Sequence, residues 1–190
     1  MGLPRKAKPE SMTSGNSRAD QQARDLLEKA GVSQPPIPVD AVADFLGLQV
    51  LRSDLGGDVS GVLVVDDDHG VIGVNETHAL VRQRFTIAHE IGHFVLHRGQ
   101  LPLFIDTQKK QFTAVFRDGD SATGENKREV EANRFAASLL MPLELVRREL
   151  GAIDPELEED EIVASLAERF KVSKAAMSFR LANLSTHAAR

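Results

Sequence analysis

The chain has 190 residues, is 42% hydrophobic and carries a formal net charge of -5. This length allows one packed domain with a sizeable core, and an acidic net charge does not favour general binding to nucleic acid. The sequence contains no cysteine, which excludes disulfide bonds, thiolate-bound zinc and a cysteine nucleophile, so that any bound metal needs histidine and carboxylate ligands.

The first part of the chain is expected to form a tail, two helices and three strands. Residues 1–16 have almost nothing to bury, and we expect a flexible tail there. A helix is expected to begin at Ser17, whose hydroxyl can cap it, and to end at Gly31. Turn signals and apolar spacing predict four further elements: a stiff turn at 34–38, a helix from Pro38 or Val39 to Gly47, a strand over 48–52 and a β-hairpin over 61–75.

The second part is expected to be mostly helical. Apolar spacing predicts an amphipathic helix from Thr77 or His78 to Gly99. Residues 100–124 have no periodic pattern apart from a short run that predicts a strand at 112–116. Caps and apolar spacing predict four more helices: 125–140, 142–150, from Asp154 and Pro155 to about Phe170, and from Ser173 to about Leu184. No apolar run reaches the length of about 18 residues that spans a bilayer, so we expect a cytoplasmic protein without membrane contact.

The stretch RQRFTIAHEIGHFVLHRG, residues 82–99, contains two histidines four positions apart, with a glutamate directly after the first. Positions four apart lie on one face of an α-helix, so that His89 and His93 can both direct a ring nitrogen at one Zn²⁺. Glu90 points beside the metal rather than at it, where it can take a proton from a water that the zinc activates. The H-E-x-x-H pattern serves this chemistry in metalloproteases.

The alternative interpretation is an amphipathic helix with surface histidines. Both histidines lie in the most apolar part of the helix, near residues such as Ile87, Ile91 and Val95, where unpaired imidazoles would be costly to bury. This position favours a metal site. His97 lies about 12 Å along the helix axis from His89, too far for both to bind one ion. We expect His97 to be either a helix-end group or a group that supports the metal ligands.

A catalytic zinc ion needs a third protein ligand and an open position. The next long helix, within KREVEANRFAASLLMP at residues 127–142, offers Glu129 and Glu131. Glu129 shares a helix face with small residues that allow tight packing against the histidine helix, whereas Glu131 projects to another side. We therefore favour Glu129 as the third ligand, with Glu131 as the alternative. Asn133, one turn further on, can hydrogen-bond a ligand histidine or the Glu129 carboxylate.

RFTIAHEIGHFVLH followed by EVEANRFAASLLMP closely resembles the ImmA/IrrE family of metallopeptidases, and the likeness covers most of residues 34–184. The resemblance implies an α+β fold, namely a mostly helical zincin-like metallopeptidase domain with a small β-sheet and a C-terminal helical pair. It implies zinc ligands at the positions of His89, His93 and Glu129, and a catalytic base at Glu90. It also implies a substrate, because family members typically cleave a phage-repressor-like helix-turn-helix transcription factor and relieve repression after stress.

The chain resembles the short, peptidase-only form of this family, and we expect residues 17–187 to form a single metallopeptidase domain. It contains no tyrosine, although a phenol is a common hydrogen-bond donor to the oxyanion in zinc peptidases. The alternatives for that role are the zinc itself, His78, an arginine or a backbone N–H.

The segment LAERFKVSKAAMSFRLANL, residues 166–184, has a spacing of apolar residues that is typical of a helix-turn-helix. From residue 166 to the end of the sequence, basic residues outnumber acidic ones. DNA binding is one interpretation of this pattern. We favour another, in which apolar residues pack a helical pair at about 154–184 onto the peptidase core. The residues expected in that contact are Leu166, Ala167, Phe170, Val172, Ala176, Phe179, Leu181 and Leu184.

These patterns together predict a cytoplasmic zinc-dependent endopeptidase of the HEXXH type. The family resemblance implies a helix-turn-helix repressor as the protein substrate and a role in transcription regulation during a stress response. Direct binding to nucleic acid is not favoured. The alternative is a regulatory zinc-fold binding module that docks a repressor or DNA without proteolysis. The intact Glu90 argues against this alternative, because a structural zinc site has no use for a base.

Overall fold

The computed structural model describes residues 17–57, 59–65, 70–98, 103–107 and 124–188. They form an α+β fold, as expected, in which no described helix is both long and apolar enough to cross a membrane. The helices are α1 (Arg18–Lys29), α2 (Val39–Phe45), α3 (Leu80–His97), α4 (Gly124–Leu140), α5 (Leu143–Leu150), α6 (Glu159–Phe170) and α7 (Lys174–Ala188). The strands are β1 (Leu48–Ser53), β2 (Val59–Val65), β3 (Gly70–Asn75) and β4 (Leu103–Thr107). The expected tail at 1–16, the hairpin tip at 66–69, the helix end at Gly99 and the strand expected at 112–116 lie outside the described residues.

The sheet is mixed and has the strand order β1-β3-β2-β4. β2 and β3 pair antiparallel, with Gly61 opposite Val74 and Val65 opposite Gly70, which confirms the expected hairpin. β1 runs parallel to β3. β4 is not among the elements expected from the sequence; it pairs antiparallel with β2, with a shift of register between Val59 and Gly61. β2 is therefore held by a neighbouring strand on each side.

α3 carries the histidine motif and packs against both the sheet and α4. Ile87 and Ile91 of α3 are fully buried in one hydrophobic cluster with Ile72 of β3. On the side of α4, a Cβ at Gly92 would lie only 3.1 Å from the carbonyl oxygen of Ala132. The small residues of the two helices thus allow the close packing that the sequence predicts.

α3 begins at Leu80, and the expected start at Thr77 or His78 is wrong. The Asn75 side chain accepts a hydrogen bond from the backbone N–H of Thr77 at 3.1 Å. The side-chain amide of Gln83 donates to the carbonyl oxygen of His78 at 2.8 Å. These two bonds hold the segment before α3 in a turn, and the helix begins after it.

The helix expected to start at Asp154 begins instead at Glu159. The Asp154 carboxylate accepts a hydrogen bond from the backbone N–H of Glu156 at 3.0 Å, which is typical of an Asx turn. The helix start is capped by the Glu161 side chain, which accepts from the backbone N–H of Glu158 at 3.1 Å. The aspartate therefore forms a turn, and glutamates cap the helix.

α6 and α7 pack onto the core, as favoured from the sequence. Four of the residues expected in this contact are buried: Leu166, Ala167, Phe170 and Val172. Three others are half-buried, namely Ala176, Phe179 and Leu181, and the side chain of Leu184 lies outside the described residues. Met177 of α7 is fully buried as well. The burial expected for this segment is thus confirmed where the structure describes it.

Arg180 of α7 does not extend into solvent as a DNA contact would. Its Nε donates a hydrogen bond to the carbonyl oxygen of Met141 at 2.9 Å, at the corner between α4 and α5. The side chain is only partly exposed. This basic residue therefore attaches α7 to the core, which weakens the DNA-binding interpretation of the segment.

Candidate metal centre

The motif residues lie on the buried side of α3. His89 and Glu90 are fully buried, and His93 is 3% exposed. Thr86, one turn before Glu90, and His97, one turn after His93, are buried too. The interpretation of α3 as an amphipathic helix with surface histidines is therefore wrong.

Glu129 of α4 faces the two histidines. Its Oε2 lies 3.4 Å from Nε2 of His89, and its Oε1 lies 3.7 Å from Nε2 of His93. The two Nε2 atoms are 2.9 Å apart. Within the described parts of the chain, these three residues form a group whose donor atoms all lie within 4.8 Å of one another, close enough to hold one metal ion.

The donor set fits a zinc ion. In a tetrahedral site with ligands at about 2.0 to 2.1 Å, the ligand atoms lie about 3.3 Å from one another, which is close to the two nitrogen–oxygen separations. Oε2 of Glu129 is buried and has no hydrogen-bond partner among the described residues. A buried carboxylate oxygen of this kind is costly unless a cation lies beside it. Two histidines and a glutamate are also one of the known ligand sets of catalytic zinc.

Asn133 determines which nitrogen of His89 can bind a metal. Its Oδ1 lies 3.0 Å from Nδ1 of His89. A side-chain amide oxygen only accepts hydrogen bonds, so Nδ1 carries the proton and the lone pair is left on Nε2. That nitrogen is the one that faces Glu129 and His93. The sequence already offered Asn133 as a partner for a ligand histidine.

His93 is held in its neutral form. Burial is the main cause that lowers the pKa of its imidazole, and the nearby His89, His97 and Arg128 lower it further. A neutral imidazole is the form that binds a metal ion. The protein environment thus prepares this ring for coordination.

Glu131 does not lie with the three donor residues. Its carboxylate is 3.6 Å from Nε2 of His97, and its side chain is 39% exposed, against 4% for that of Glu129. His97 is the last residue of α3; burial lowers the pKa of its imidazole, while the charge of Glu131 raises it. The structure therefore brings Glu129 to the histidine pair and places Glu131 at the helix end.

β2 passes over Glu90 at Gly61, a residue that no sequence motif assigns to the site. A Cβ at Gly61 would lie 3.2 Å from Oε1 of Glu90. A glycine inside a run of β-branched residues indicates that something approaches the strand closely. The sequence alone does not show that the approaching group is a carboxylate of the histidine motif.

A histidine and an arginine are among the candidates for oxyanion stabilisation. His78 and Arg82 lie close to each other, just before the histidine motif in the chain. Nη2 of Arg82 donates a hydrogen bond to Oγ of Ser60 on β2 at 2.9 Å. Burial, followed by the charge of Arg82, lowers the pKa of His78, so that this imidazole is neutral near pH 7. A role for either residue in stabilising an oxyanion stays a prediction.

Comparison with known proteins relates this arrangement to a peptidase family. Residues 43–182 match the family described as the IrrE N-terminal-like domain. Two similar proteins are both named radiation response metalloprotease IrrE. That of Deinococcus radiodurans is 33% identical over 119 residues, which is 61% of this chain and 32% of the relative. That of Deinococcus deserti is 36% identical over 117 residues, which is 62% of this chain and 37% of the relative.

The chain spans about a third of the length of these two relatives. A solved structure with a similar fold is a Mycobacterium tuberculosis transcriptional regulator, with a TM-score of 0.56 and 18% sequence identity. The likeness covers 87% of this chain and 47% of that one. The fold is therefore shared with a protein of quite different sequence.

Proposed function

This chain belongs to the IrrE N-terminal-like domain family of peptidases, and on that basis we propose that it is a zinc-dependent endopeptidase. The observation that supports this most directly is the buried group of His89, His93 and Glu129 with Glu90 next to it on α3. A structural zinc site needs ligands only, whereas hydrolysis also needs a base beside the metal.

The three ligand residues would hold the zinc ion through Nε2 of His89, Nε2 of His93 and a carboxylate oxygen of Glu129. A zinc ion bound there lowers the pKa of a water molecule and polarises the carbonyl group of the scissile peptide bond. Asn133 keeps the His89 ring in the orientation that ligation requires, because its Oδ1 accepts a hydrogen bond from Nδ1–H.

Glu90 is the general base in this proposal. Its carboxylate accepts a proton from the water as the water oxygen attacks the scissile carbonyl carbon. It then delivers this proton to the nitrogen of the leaving amine, and the peptide bond breaks. Since Glu90 is fully buried, its position is set by packing against neighbouring elements and not by solvent.

The proposed substrate is a helix-turn-helix transcriptional repressor in the cytoplasm. This proposal rests on the resemblance of the histidine helix and the Glu129 helix to the ImmA/IrrE family. The names of the two relatives, radiation response metalloproteases, support a role in a stress response. We also propose that residues 17–187 act as one metallopeptidase domain, because one cluster of buried residues extends from Ala19 of α1 to Met177 of α7.

The proposal is tested by incubating the purified protein with a helix-turn-helix repressor encoded near its own gene. Cleavage is followed by electrophoresis and mass spectrometry with added zinc, with a chelator, and after zinc is restored. The matched variant is Glu90→Gln, which keeps the size of the side chain but cannot accept the proton.

We expect the parent to cut the repressor only when zinc is present. Glu90→Gln should bind zinc like the parent and cleave at least about a hundredfold more slowly. Cleavage by Glu90→Gln at the parental rate would contradict the assigned base. Tight binding of the intact repressor without any cleavage would favour the regulatory binding module instead.

A further inference from the structure

β2 passes over the face of α3 that carries the histidine motif, and Gly61 lies where the two elements meet. A Cβ at Gly61 would lie 2.3 Å from Cγ2 of Thr86 and 3.2 Å from Oε1 of Glu90. The first distance is far below van der Waals contact, and the second is tighter than ordinary packing. Thr86 and Glu90 are one helical turn apart, so that both face the strand at the same point.

Position 61 requires glycine because there is no space for a side chain, and not because of its backbone conformation. The described glycines with positive φ are Gly31, Gly47, Gly56 and Gly57. Gly61 is absent from that set and pairs regularly with Val74 of β3, so its backbone would accept any residue. The missing side chain is what leaves room for the Glu90 carboxylate.

The surrounding elements cannot easily move apart to admit a side chain. Thr86 is fully buried and β-branched, which restricts its χ1 angle. Ser60, the neighbour of Gly61, is fully buried and accepts a hydrogen bond from Arg82 of α3 at 2.9 Å. β2 is paired with β3 at Gly61 and with β4 through a register shift between Val59 and Gly61. The Arg82–Ser60 hydrogen bond and the buried Thr86 hold β2 against α3 near Gly61.

We propose that Gly61 is a positioning residue for Glu90: its lack of a side chain sets where the carboxylate lies relative to the metal ligands on the same helix. This inference rests on the proposed function, since Glu90 is taken to be the base. In this proposal Gly61 has no side chain that could bind zinc or transfer a proton, and it acts only through Glu90.

Four variants separate this role from general packing. Gly61→Ala introduces the contacts with Thr86 and Glu90 and a third, at 3.3 Å, with the backbone carbonyl oxygen of Gly73. Thr86→Ser removes the methyl group that would clash. The double variant Gly61→Ala/Thr86→Ser keeps the contacts with Glu90 and with the Gly73 carbonyl oxygen, and the signal of Glu90 itself shows whether its carboxylate has moved. The matched control is Gly73→Ala on β3. A Cβ there would meet Cγ1 of Val62 at 2.7 Å, and Glu90 is not among its nearest neighbours.

Two readouts are used, and one of them does not depend on activity. The first is the side-chain carboxyl signal of Glu90 in ¹³C NMR spectra of protein labelled at glutamate, identified by its loss in Glu90→Gln. The second is kcat and KM for cleavage of the repressor, together with the zinc content of each variant.

We expect the Glu90 signal to move in Gly61→Ala and in the double variant, and to stay in place in Thr86→Ser and Gly73→Ala. In the same two variants, kcat should fall about ten- to a hundredfold, the loss expected for a misplaced catalytic group. KM and zinc content should remain close to those of the parent. If Gly61→Ala alone does not fold, the double variant still tests the proposal, because it lacks the clash with the Thr86 methyl group.

The inference is overturned if the double variant recovers the parental kcat, because the clash with Thr86 would then be the whole effect. It is also overturned if the Glu90 signal is the same in all variants, or if Gly73→Ala lowers kcat as much as Gly61→Ala. If the parent itself cuts no repressor, the proposed function fails, while the NMR comparison still decides whether Gly61 positions Glu90.

Discussion

At the scale of single residues, the candidate metal centre depends on neighbours that are not among the three proposed ligands. Oδ1 of Asn133 accepts a hydrogen bond from Nδ1–H of His89 at an N–O distance of 3.0 Å, and Asn133 is fully buried. Its Nδ2 has no hydrogen-bond partner among the described residues. The oxygen of this side chain is therefore the atom that matters to the site.

Asn133→Ala is expected to weaken zinc binding about ten- to a hundredfold, because His89 loses the acceptor that fixes its ring and tautomer. Zinc affinity is measured by competition with a chromophoric chelator. Asn133→Asp, which keeps an acceptor oxygen at the same place, should retain most of the affinity. Equal affinities for the parent and Asn133→Ala would show that the hydrogen bond does not contribute to ligation.

At the scale of elements, the site exists because α3 and α4 approach each other closely. A Cβ at Gly92 would lie 3.1 Å from Cδ1 of Phe135 and 3.2 Å from Cα of Ala132. Ala132 and Phe135 are fully buried, so a shift of α4 would disturb packed residues of the core. The distance from the histidine pair to Glu129 is thus set by the contact between the two helices.

Gly92→Ala is expected to lower the free energy of unfolding by about 1 to 2 kcal/mol, since overpacking outweighs the gain in helix propensity. It should also weaken zinc binding, because it pushes Glu129 away from the histidines. Urea denaturation and zinc competition measure the two effects. Gly151→Ala is the control, because a Cβ there would have an ordinary 3.4 Å contact with the carbonyl oxygen of Arg147. A stable Gly92→Ala variant with parental zinc affinity would contradict this account.

The elements that the sequence predicts are those whose signals are local. Each of these signals extends over no more than one or two helical turns. They are the caps at Ser17 and Pro142, the spacing of His89 and His93, and the small residues beside Glu129. The start of α3 was misplaced because it is set by side-chain hydrogen bonds of Asn75 and Gln83. β4 was missed because its pairing with β2 joins segments about forty residues apart.

The residues of the site that the sequence reveals are likewise those with local signals. The H-E-x-x-H spacing marks residues on one helix, and the face of α4 selects Glu129 over Glu131. The approach of Gly61 to Glu90 depends on how β2 packs over α3. The sequence does not show how these two elements are placed relative to each other. The only sign of such a contact in the sequence is a glycine within a strand.

At the scale of the whole molecule, a buried carboxylate joins the first helix to the helix that carries Glu129. Asp20 of α1 is paired with Nη2 of Arg134 at 2.9 Å and accepts a hydrogen bond from Oγ of Ser138, both on α4. Burial alone would raise the pKa of Asp20, but hydrogen bonds from Ser138, Arg134 and Ser17 outweigh it and lower the pKa below its usual value. The ionised form therefore stabilises the fold.

Asp20→Asn is expected to lower the free energy of unfolding near pH 7 by about 2 kcal/mol, the range for hydrogen bonds to a charged group. Because the folded pKa is depressed, this contribution is fully present above the unfolded pKa of about 3.9 and is lost as the pH falls through the folded pKa. Urea denaturation between pH 7 and pH 3 should thus show the parent and the variant converging in acid.

The control for Asp20→Asn is Asp25→Asn on the same helix, whose carboxylate accepts from the exposed Gln21 side chain at 2.7 Å. This surface change should alter stability by less than about 0.5 kcal/mol. A difference between the parent and Asp20→Asn that persists unchanged at pH 3 would show that the charge of Asp20 is not its source.

The central claim is that His89 and His93 of α3 and Glu129 of α4 hold one zinc ion. The most direct test is zinc stoichiometry and affinity in Glu129→Gln, compared with Glu131→Gln, a variant of the same chemistry two residues away. The account predicts one tightly bound zinc per chain in the parent and in Glu131→Gln, and a loss of affinity of at least about a hundredfold in Glu129→Gln. Retention of zinc by Glu129→Gln and its loss from Glu131→Gln would contradict the account.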